Sequence, residues 1–375
     1  MTVAEANQET KTNTLFEPAQ LGSWDLTNRV AMAPMSRFRA DPKTWVPADY
    51  TAEYYGQRNT CGMLITEATQ MSPDAVGYPR SPGLYNAEQT EVWKGIVDAI
   101  HAGGAKAVVQ LWHTGRISHA YNRPTDNPHP MGPSPIKPVT EMITDEHGMV
   151  EIPTPREMTK DDIKYVVDMY AETARNAKAA GFDGIEIHAA NGYLIDQFCA
   201  SNINKRTDEY GGSYENRLRF LREIIETVAT VYDKGNIGVR FSPYGTFNDV
   251  HEEDPLALFT AQVKQSEASG VGYVHVIRPE VTGDNDVAEA FDHADVIGVA
   301  RDLYSGVIIA AGQYTRETAE QEIASGRADI VAFGRPFVSN PDLISRMKAG
   351  TELAQLNRDT LYIPGRAGYI DYPEA

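Results

Sequence analysis

An eight-stranded β/α barrel, the (β/α)8 TIM barrel, is the fold this sequence predicts, on three observations. Eight short runs rich in Val, Ile, Ala or Met recur through the 375 residues. Most of the runs do not alternate polar with apolar, which is the pattern of strands buried on both faces. Stretches of helical period lie between them. An open doubly wound sheet would show the same succession. The count of eight, and the lack of a G-x-G-x-x-G after the first run, favour the barrel.

The elements follow in order. Residues before Leu15 are polar and read as a loose tail, 1–14, ahead of a single domain spanning 15–375. The strand runs are Val30–Met35, Met63–Thr69, Ala105–Trp112, Gly184–Ala190, Ile237–Ser242, Tyr273–Ile277, Gly306–Gly312 and Asp329–Arg335. Helices fit Ala87–Ala102, Thr159–Ala180, Tyr214–Tyr232, Pro255–Ser269 and Thr315–Ser325. The helix from Thr159 has the clearest signature. Thr159 and Asp162 form a capping box, with Asp in place of the usual Glu. Ile163, Val166, Val167, Tyr170, Ala174 and Ala177 share one face, and Gly181 supplies the stop. After the third strand comes a long excursion from Trp112 to Thr159, carrying Pro124, Pro128, Pro130, Pro133, Pro135 and Pro138. A connection that long is expected to form a lid over one barrel mouth.

Composition narrows the function. The chain carries 52 acidic and 34 basic residues, a net charge of −18, which disfavours nucleic acids and anionic membranes as partners. It leaves room for a phosphate cofactor, because a local Arg or a cluster of backbone N–H groups can hold one. No apolar stretch reaches the roughly 20 residues of a membrane-spanning helix. Met1–Asn13 resembles neither a signal nor a transit peptide, and a cytoplasmic location follows by elimination. Cys61 and Cys199 belong to no C-x-x-C and read as buried free thiols.

In a barrel of this kind the chemistry gathers at the C-terminal ends of the strands. His188 and Asn191 are three apart at the turn after strand four. Both can donate hydrogen bonds to one oxygen and stabilise negative charge developing on it. Tyr193 lies just beyond and can deliver a proton. Taken alone, this segment fits equally well a satisfied core histidine followed by a turn-forming Asn. Gly312 and Gly334-Arg335, after strands seven and eight, suit a phosphate, or else simply make turns. His101, His113, His119, His129 and His188 form no H-E-x-x-H or H-x-H, so no metal is expected. A G-x-S-x-G elbow is also missing.

Several ordered motifs are similar to those of the Old Yellow Enzyme family of flavoproteins. They are Gln110-Leu111-Trp112-His113-Thr114-Gly115-Arg116, the 188–193 segment, Asp208-Glu209-Tyr210-Gly211-Gly212-Ser213 followed by Glu215-Asn216-Arg217, the 334–343 stretch, and Gly368-Tyr369-Ile370-Asp371-Tyr372-Pro373. The resemblance runs from about Leu15 to Pro373. It implies FMN at the barrel mouth. Pro34, Met35, Ser36 and Ala68 would meet the ring, and Gln110 its pyrimidine edge. Arg240 would lie near N1 and O2, with Ala311, Gly312, Gln313, Gly334 and Arg335 at the phosphate and ribityl end. Ser36 stands where many relatives have Thr or Cys.

The resemblance also implies an ene-reductase cycle, in which NADPH or NADH reduces the flavin and an unsaturated carbonyl compound then takes the hydride. His188 and Asn191 would grip the carbonyl and Tyr193 would protonate the α-carbon. Tyr78, Trp112 and Tyr362 match pocket-lining positions. The same site could act on nitro compounds, nitrate esters or quinones, and a barrel that holds flavin without turnover is the reading from another class. A monomer or a homodimer is expected. The Ile277–Phe291 stretch matches no relative closely enough to carry residues over.

Overall fold

The computed structural model describes residues 14–123, 129–283, 285–287 and 293–375. Apart from Thr14, the expected N-terminal tail lies outside the described residues, as do Pro124, Pro128, Asp284 and 288–291.

The barrel strands are β1 (Val30–Met32), β2 (Met63–Ile65), β3 (Lys106–Trp112), β4 (Gly184–His188), β5 (Ile237–Phe241), β6 (Tyr273–Ile277), β7 (Val307–Ala311) and β8 (Ile330–Phe333). Each pairs in parallel with the next. β8 then pairs with β1, Val331 opposite Val30, and the barrel closes. Most strands are shorter than the apolar runs suggest, among them Gly184–His188 and Ile330–Phe333, and β1 and β2 show where a run breaks. β1 stops at Met32, just ahead of Pro34, which has no N–H to give the ladder. The run from Met63 breaks after Ile65, and Thr69–Gln70 rejoins β3 separately.

The helices are α1 (Thr51–Gly56), α2 (Ala87–His101), α3 (Lys160–Ala180), α4 (Leu194–Cys199), α5 (Tyr214–Arg217), α6 (Arg219–Val228), α7 (Pro255–Ser269), α8 (Val296–Leu303), α9 (Arg316–Ala324), α10 (Arg335–Ser339) and α11 (Leu343–Ala349). The capping box of α3 is present, and Gly181 closes that helix at φ 92°. The helix expected over 214–232 is broken at Leu218 into α5 and α6, and it ends at Val228. Periodicity gives no sign of α8, an eight-residue helix started by the Asp295 side chain, which accepts from the Gly298 N–H. Cys61 and Cys199 are free and buried. Among the described residues no helix is long and apolar enough to cross a membrane.

Alternation along the strands sorts their side chains into two sets. Val30, Leu64, Val109, Ile185, Val239, Val274, Ile308 and Val331 point outward into the helix-facing core. Ala31, Met63, Val108, Tyr273, Ile309 and Ile330 point into the barrel. A hairpin not expected from the sequence, Ala19–Leu21 with Trp24–Leu26, plugs the N-terminal end of the barrel with Leu21, Trp24 and Leu26. Room inside is tight, because a methyl group on Gly238 would overlap the Tyr273 ring.

The opposite end is crossed by the excursion and by the C-terminal segment. The excursion carries a hairpin, Glu141–Thr144 with Gly148–Glu151, and Met131–Gly132 pairs with Arg156–Glu157. The C-terminal segment is tied down by buried arginines that donate to its carbonyls. Arg37 reaches Gly368 O at 2.7 Å, Arg39 reaches Leu361 O at 2.6 Å and Thr360 O at 2.7 Å, and Arg58 reaches Tyr369 O at 3.3 Å. The Tyr369 ring stacks on Tyr54 at 3.9 Å.

Gly238→Ala should destabilise the protein toward the upper end of the about 1–3 kcal/mol typical of overpacking. Gly95→Ala, on α2, meets nothing within 4 Å and should stabilise by about 0.5–1 kcal/mol. Urea unfolding of the two variants checks both signs.

Candidate active site

The inward positions near the C-terminal strand ends differ from one side of the barrel to the other. From β3 to β6 they are Gln110, Trp112, Glu186, His188, Arg240 and His275, all buried. From β7 round to β1 they are small: Ala311, Ala332 and Ala33. The strands thus form a slot with one polar wall and one wall of methyl groups.

Above this slot opens a cavity of about 960 Å³. Every residue expected at the site lines it. Pro34, Met35 and Ser36 follow β1, and Ala68 follows β2. Gln110 and Trp112 come from β3, Arg240 from β5. Ala311, Gly312 and Gln313 come from the end of β7, Gly334 and Arg335 from the end of β8. His188, Asn191, Tyr193, Tyr78 and Tyr362 complete the set. Phe38, Phe247, Asn248 and the hairpin residues Glu141, Ile143 and Met149 also line the cavity and were not expected. Phe247 and Asn248 lie six and seven residues past the end of β5, in a loop with no motif to mark it. Their only local signal is backbone: Asn248 has φ 58°, a conformation Asn tolerates better than most residues.

The turn after β4 is held at each peptide group. Asn191 and Gly192 both have left-handed backbones, φ 57° and 71°. The Asn191 N–H donates to Ser242 Oγ at 2.8 Å, and its carbonyl accepts from Asn248 Nδ2 at 2.8 Å. The Gly192 N–H donates to Asp196 at 2.8 Å, and its carbonyl accepts from Gln197 Nε2 at 2.7 Å. A turn of this shape costs conformational energy and persists because its surroundings over-determine it.

The side chains this turn presents sit in an aromatic box. Tyr193 packs edge-on against Trp112 at 4.8 Å, and its hydroxyl lies 3.4 Å from that of Tyr78. Tyr78 stacks between Trp112 at 5.6 Å and Phe38 at 5.4 Å, and Tyr362 reaches Phe38 at 5.2 Å. Burial raises the Tyr193 pKa well above the usual phenol value, with the Tyr78 hydroxyl adding to it. Burial, then the charge of Arg240, lowers His188 well below the usual histidine value. The His188 imidazole is therefore neutral at physiological pH and the Tyr193 phenol keeps its proton.

Beneath them Glu186 accepts from Gln110 Nε2 at 2.8 Å, from His275 Nδ1 at 2.8 Å and from Tyr273 OH at 3.2 Å. Burial pushes the Glu186 carboxyl up, but His275, Arg240 and Gln110 outweigh it and hold it below its usual value. At the far side, Arg335 makes a two-point ion pair with Asp286, with Nη1–Oδ2 at 2.9 Å.

The residues fit a flavin mononucleotide. Trp112 Nε1, His188 Nδ1 and Arg240 Nε are buried with no protein partner, although buried polar atoms almost always have one. All three residues line the cavity, opposite the methyl-lined wall, as a flat ring with a polar edge requires. Gly312 (φ 118°) and the N-terminus of α10 lie where a phosphate could be held. Among the described residues no three His, Cys, Asp or Glu side chains converge as metal ligands would.

A parallel barrel with these residues at its mouth defines a flavin-dependent oxidoreductase. The model of the NADH:flavin oxidoreductase / NADH oxidase family matches residues 14–354. The chain belongs to this family, the FMN-dependent Old Yellow Enzyme group. It is 41% identical to 12-oxophytodienoate reductase 1 of Oryza sativa subsp. japonica over 366 residues, 96% of this chain and 92% of that protein. Morphinone reductase matches its fold with a TM-score of 0.92 at 37% identity, over 98% of each chain. In complex with tetrahydroNAD, morphinone reductase matches with a TM-score of 0.89 at 38% identity, over 96% of this chain and 98% of that one. The old yellow enzyme homologue from Zymomonas mobilis has a TM-score of 0.90 at 35% identity, over 96% of this chain and 99% of that one.

Asp196, which holds the Gly192 N–H, has its carboxyl pushed up to about 7 by burial. Between its ordinary pKa of 3.8 and about 7 the folded state binds more protons than the unfolded state. Stability from this group is full below the ordinary value and is lost as pH rises through the folded value. Asp196→Asn keeps an acceptor for Gly192 and removes the titration. Its stability relative to wild type should rise between pH 4 and pH 8, by roughly 4 kcal/mol at most. Denaturant unfolding at both pH values measures this, and a pH-independent difference would contradict it.

Proposed function

We propose that the chain is an ene-reductase. It reduces the C=C bond of α,β-unsaturated carbonyl compounds at the expense of NADPH or NADH, with FMN as the carrier between them. The observation that carries this reading is the shared turn after β4. It presents a neutral imidazole, an amide and a protonated phenol to one cavity. Support also comes from the relatives, whose names describe reductases, one of them in complex with a nicotinamide analogue.

When bound, FMN supplies the hydride that it has taken from the nicotinamide. Pro34, Met35, Ser36 and Ala68 would pack along its ring, with Gln110 at the pyrimidine edge. Arg240 would favour negative charge near N1 and O2. Ala311, Gly312, Gln313, Gly334 and Arg335 would hold the ribityl and phosphate end, which requires Arg335 to exchange Asp286 for the phosphate. His188 and Asn191 donate hydrogen bonds to the substrate carbonyl, drawing electrons from the conjugated system and making the β-carbon electrophilic. Hydride supplied to the β-carbon would shift the C=C π electrons toward the carbonyl oxygen, where His188 and Asn191 would stabilise the charge. Tyr193 then gives its proton to the α-carbon, leaving a saturated carbonyl compound. The raised pKa of Tyr193 keeps that proton in place until carbanion character develops. Tyr78, Trp112 and Tyr362 exclude water from the reacting carbons and limit the size of the substrate.

Tyr193→Phe should slow enone reduction by about 10²–10⁴-fold, the range for a lost general acid. Reduction of the flavin by NADPH should stay near the wild-type rate. Stopped-flow measurement of the two half-reactions separates them, and equal slowing of both would refute the proton-donor role. His188→Ala with Asn191→Ala should cost at least about 10²-fold in the same enone step. Substrate binding that depends on a neutral His188 should show no titration between pH 6 and pH 8.

A further inference from the structure

The steps above give no task to Glu186, an ionisable group inside the barrel. Glu186 is fully buried on β4, two residues before His188. We infer that Glu186 is a positioning residue that sets the reduction potential of the bound flavin, by balancing the charge of Arg240 and by fixing the amide of Gln110. The inference rests on the proposed places of Arg240 and Gln110 beside the flavin.

The geometry supports both actions. Glu186 lies opposite Gln110 on β3 and opposite Gly238 on β5. Arg240 is the next inward residue after Gly238, level with His188 and with His275 on β6. Gly238 has no side chain to stand between the carboxylate and its neighbours, and the Tyr273 ring fills that space. The carboxylate accepts from Gln110, His275 and Tyr273 at 2.8, 2.8 and 3.2 Å. Gln110 and Tyr273 carry no compensating charge. Against burial, His275 does most to hold the carboxylate ionised, and Arg240, the buried cation on the next strand, adds to it.

A buried anion costs several kcal/mol to desolvate, and an aliphatic layer would fill this part of the barrel at lower cost. What the anion adds is electrostatic. With Glu186 ionised, the field of Arg240 at the flavin is partly cancelled, and the anionic reduced flavin gains less from it. One N–H of the Gln110 amide is committed to Glu186, leaving its oxygen and its second N–H for the cavity. The amide cannot turn over without losing that bond.

The test is the midpoint potential of the FMN-loaded enzyme, read by anaerobic dye titration. Glu186→Gln keeps the shape and an acceptor for Gln110, and His275 can change tautomer to meet the new amide. Removing the charge should tighten reduced over oxidised FMN on the order of tenfold, the effect of one buried charge at an effective dielectric of about 20. Tenfold is an upward shift of about 30 mV for a two-electron couple. Glu186→Asp retains the charge and should stay nearer the wild-type potential. Tyr273→Phe removes one donor, leaves the carboxylate less neutralised and should shift the potential downward. It serves as the readout if Glu186→Gln does not fold. Arg240→Ala, measured alongside, should also lower the potential. If Arg240→Ala shifts the potential while Glu186→Gln and Tyr273→Phe leave it at the wild-type value, the inference is overturned and the flavin placement stands. If Arg240→Ala leaves it unchanged as well, the placement fails too.

Discussion

Inside the closed barrel the side chains of one half cannot reach water, and several of them are polar. Glu186, Gln110, Tyr273 and His275 answer that constraint by bonding to one another. His188, Arg240 and Trp112 each keep a buried polar atom without a protein partner. The two sets meet rather than separate: Gln110 also lines the cavity, and His275, level with Arg240, keeps its own Nε2 without a partner. Strand alternation decides which residues belong to which set, and the register between neighbouring strands brings them level. The hairpin at the other end of the barrel supports this by filling the lower interior with Trp24 and two leucines. The interior space that stays open therefore lies at the C-terminal ends of the strands.

Precision at the top comes from the backbone as much as from the side chains. Asn191 and Gly192 are held in left-handed conformations by Ser242 and Asn248 of the connection after β5 and by Asp196 and Gln197 of α4. Gln197 also bonds Thr114 O at 2.9 Å, so the turn after β4 and the loop after β3 move as one piece. Tyr193 and Trp112 sit on these two loops and pack edge-to-face. The aromatic box and the hydrogen-bonding turn thus share one rigid support.

Much of this could be read from the sequence. The strands were visible as apolar runs because their outward faces are uniformly aliphatic. The residues at their C-terminal ends converge because parallel strands in a barrel all end at the same mouth. What escaped has a physical reason in each case. The plug hairpin is made of three-residue strands, too short for a pattern to register. α8 spans eight residues with Gly298 in its first turn, which weakens any helical signal. The break at Leu218 leaves the apolar face of the surrounding sequence intact, so periodicity runs straight through it. The deep polar layer was in plain view in Gly184-Ile185-Glu186-Ile187-His188, where polar and apolar residues do alternate. There the polar face is the inner one, the reverse of a sheet with one side in water. The Arg335–Asp286 pair joins residues 49 apart in the chain, and no local rule foresees it.

The barrel closes by pairing its first strand with its last, and Arg37 bonds Gly368, 331 positions further along the chain. While the chain is being made, β1 has a partner on one side only, and the guanidinium groups of Arg37, Arg39 and Arg58 have none of their C-terminal carbonyls. The sheet cannot be completed until Ile330–Phe333 has left the ribosome, nor the arginine cluster until residues 360–369 have followed, at about 5–20 residues per second. Until then the molecule is an open sheet with two unpaired edges and buried-type cations exposed. Long-range closure of this kind makes folding slow and leaves the growing chain prone to edge-to-edge association. The segment that follows the last strand brings Tyr362 to the cavity, so the site gains that wall only after all eight strands have been made.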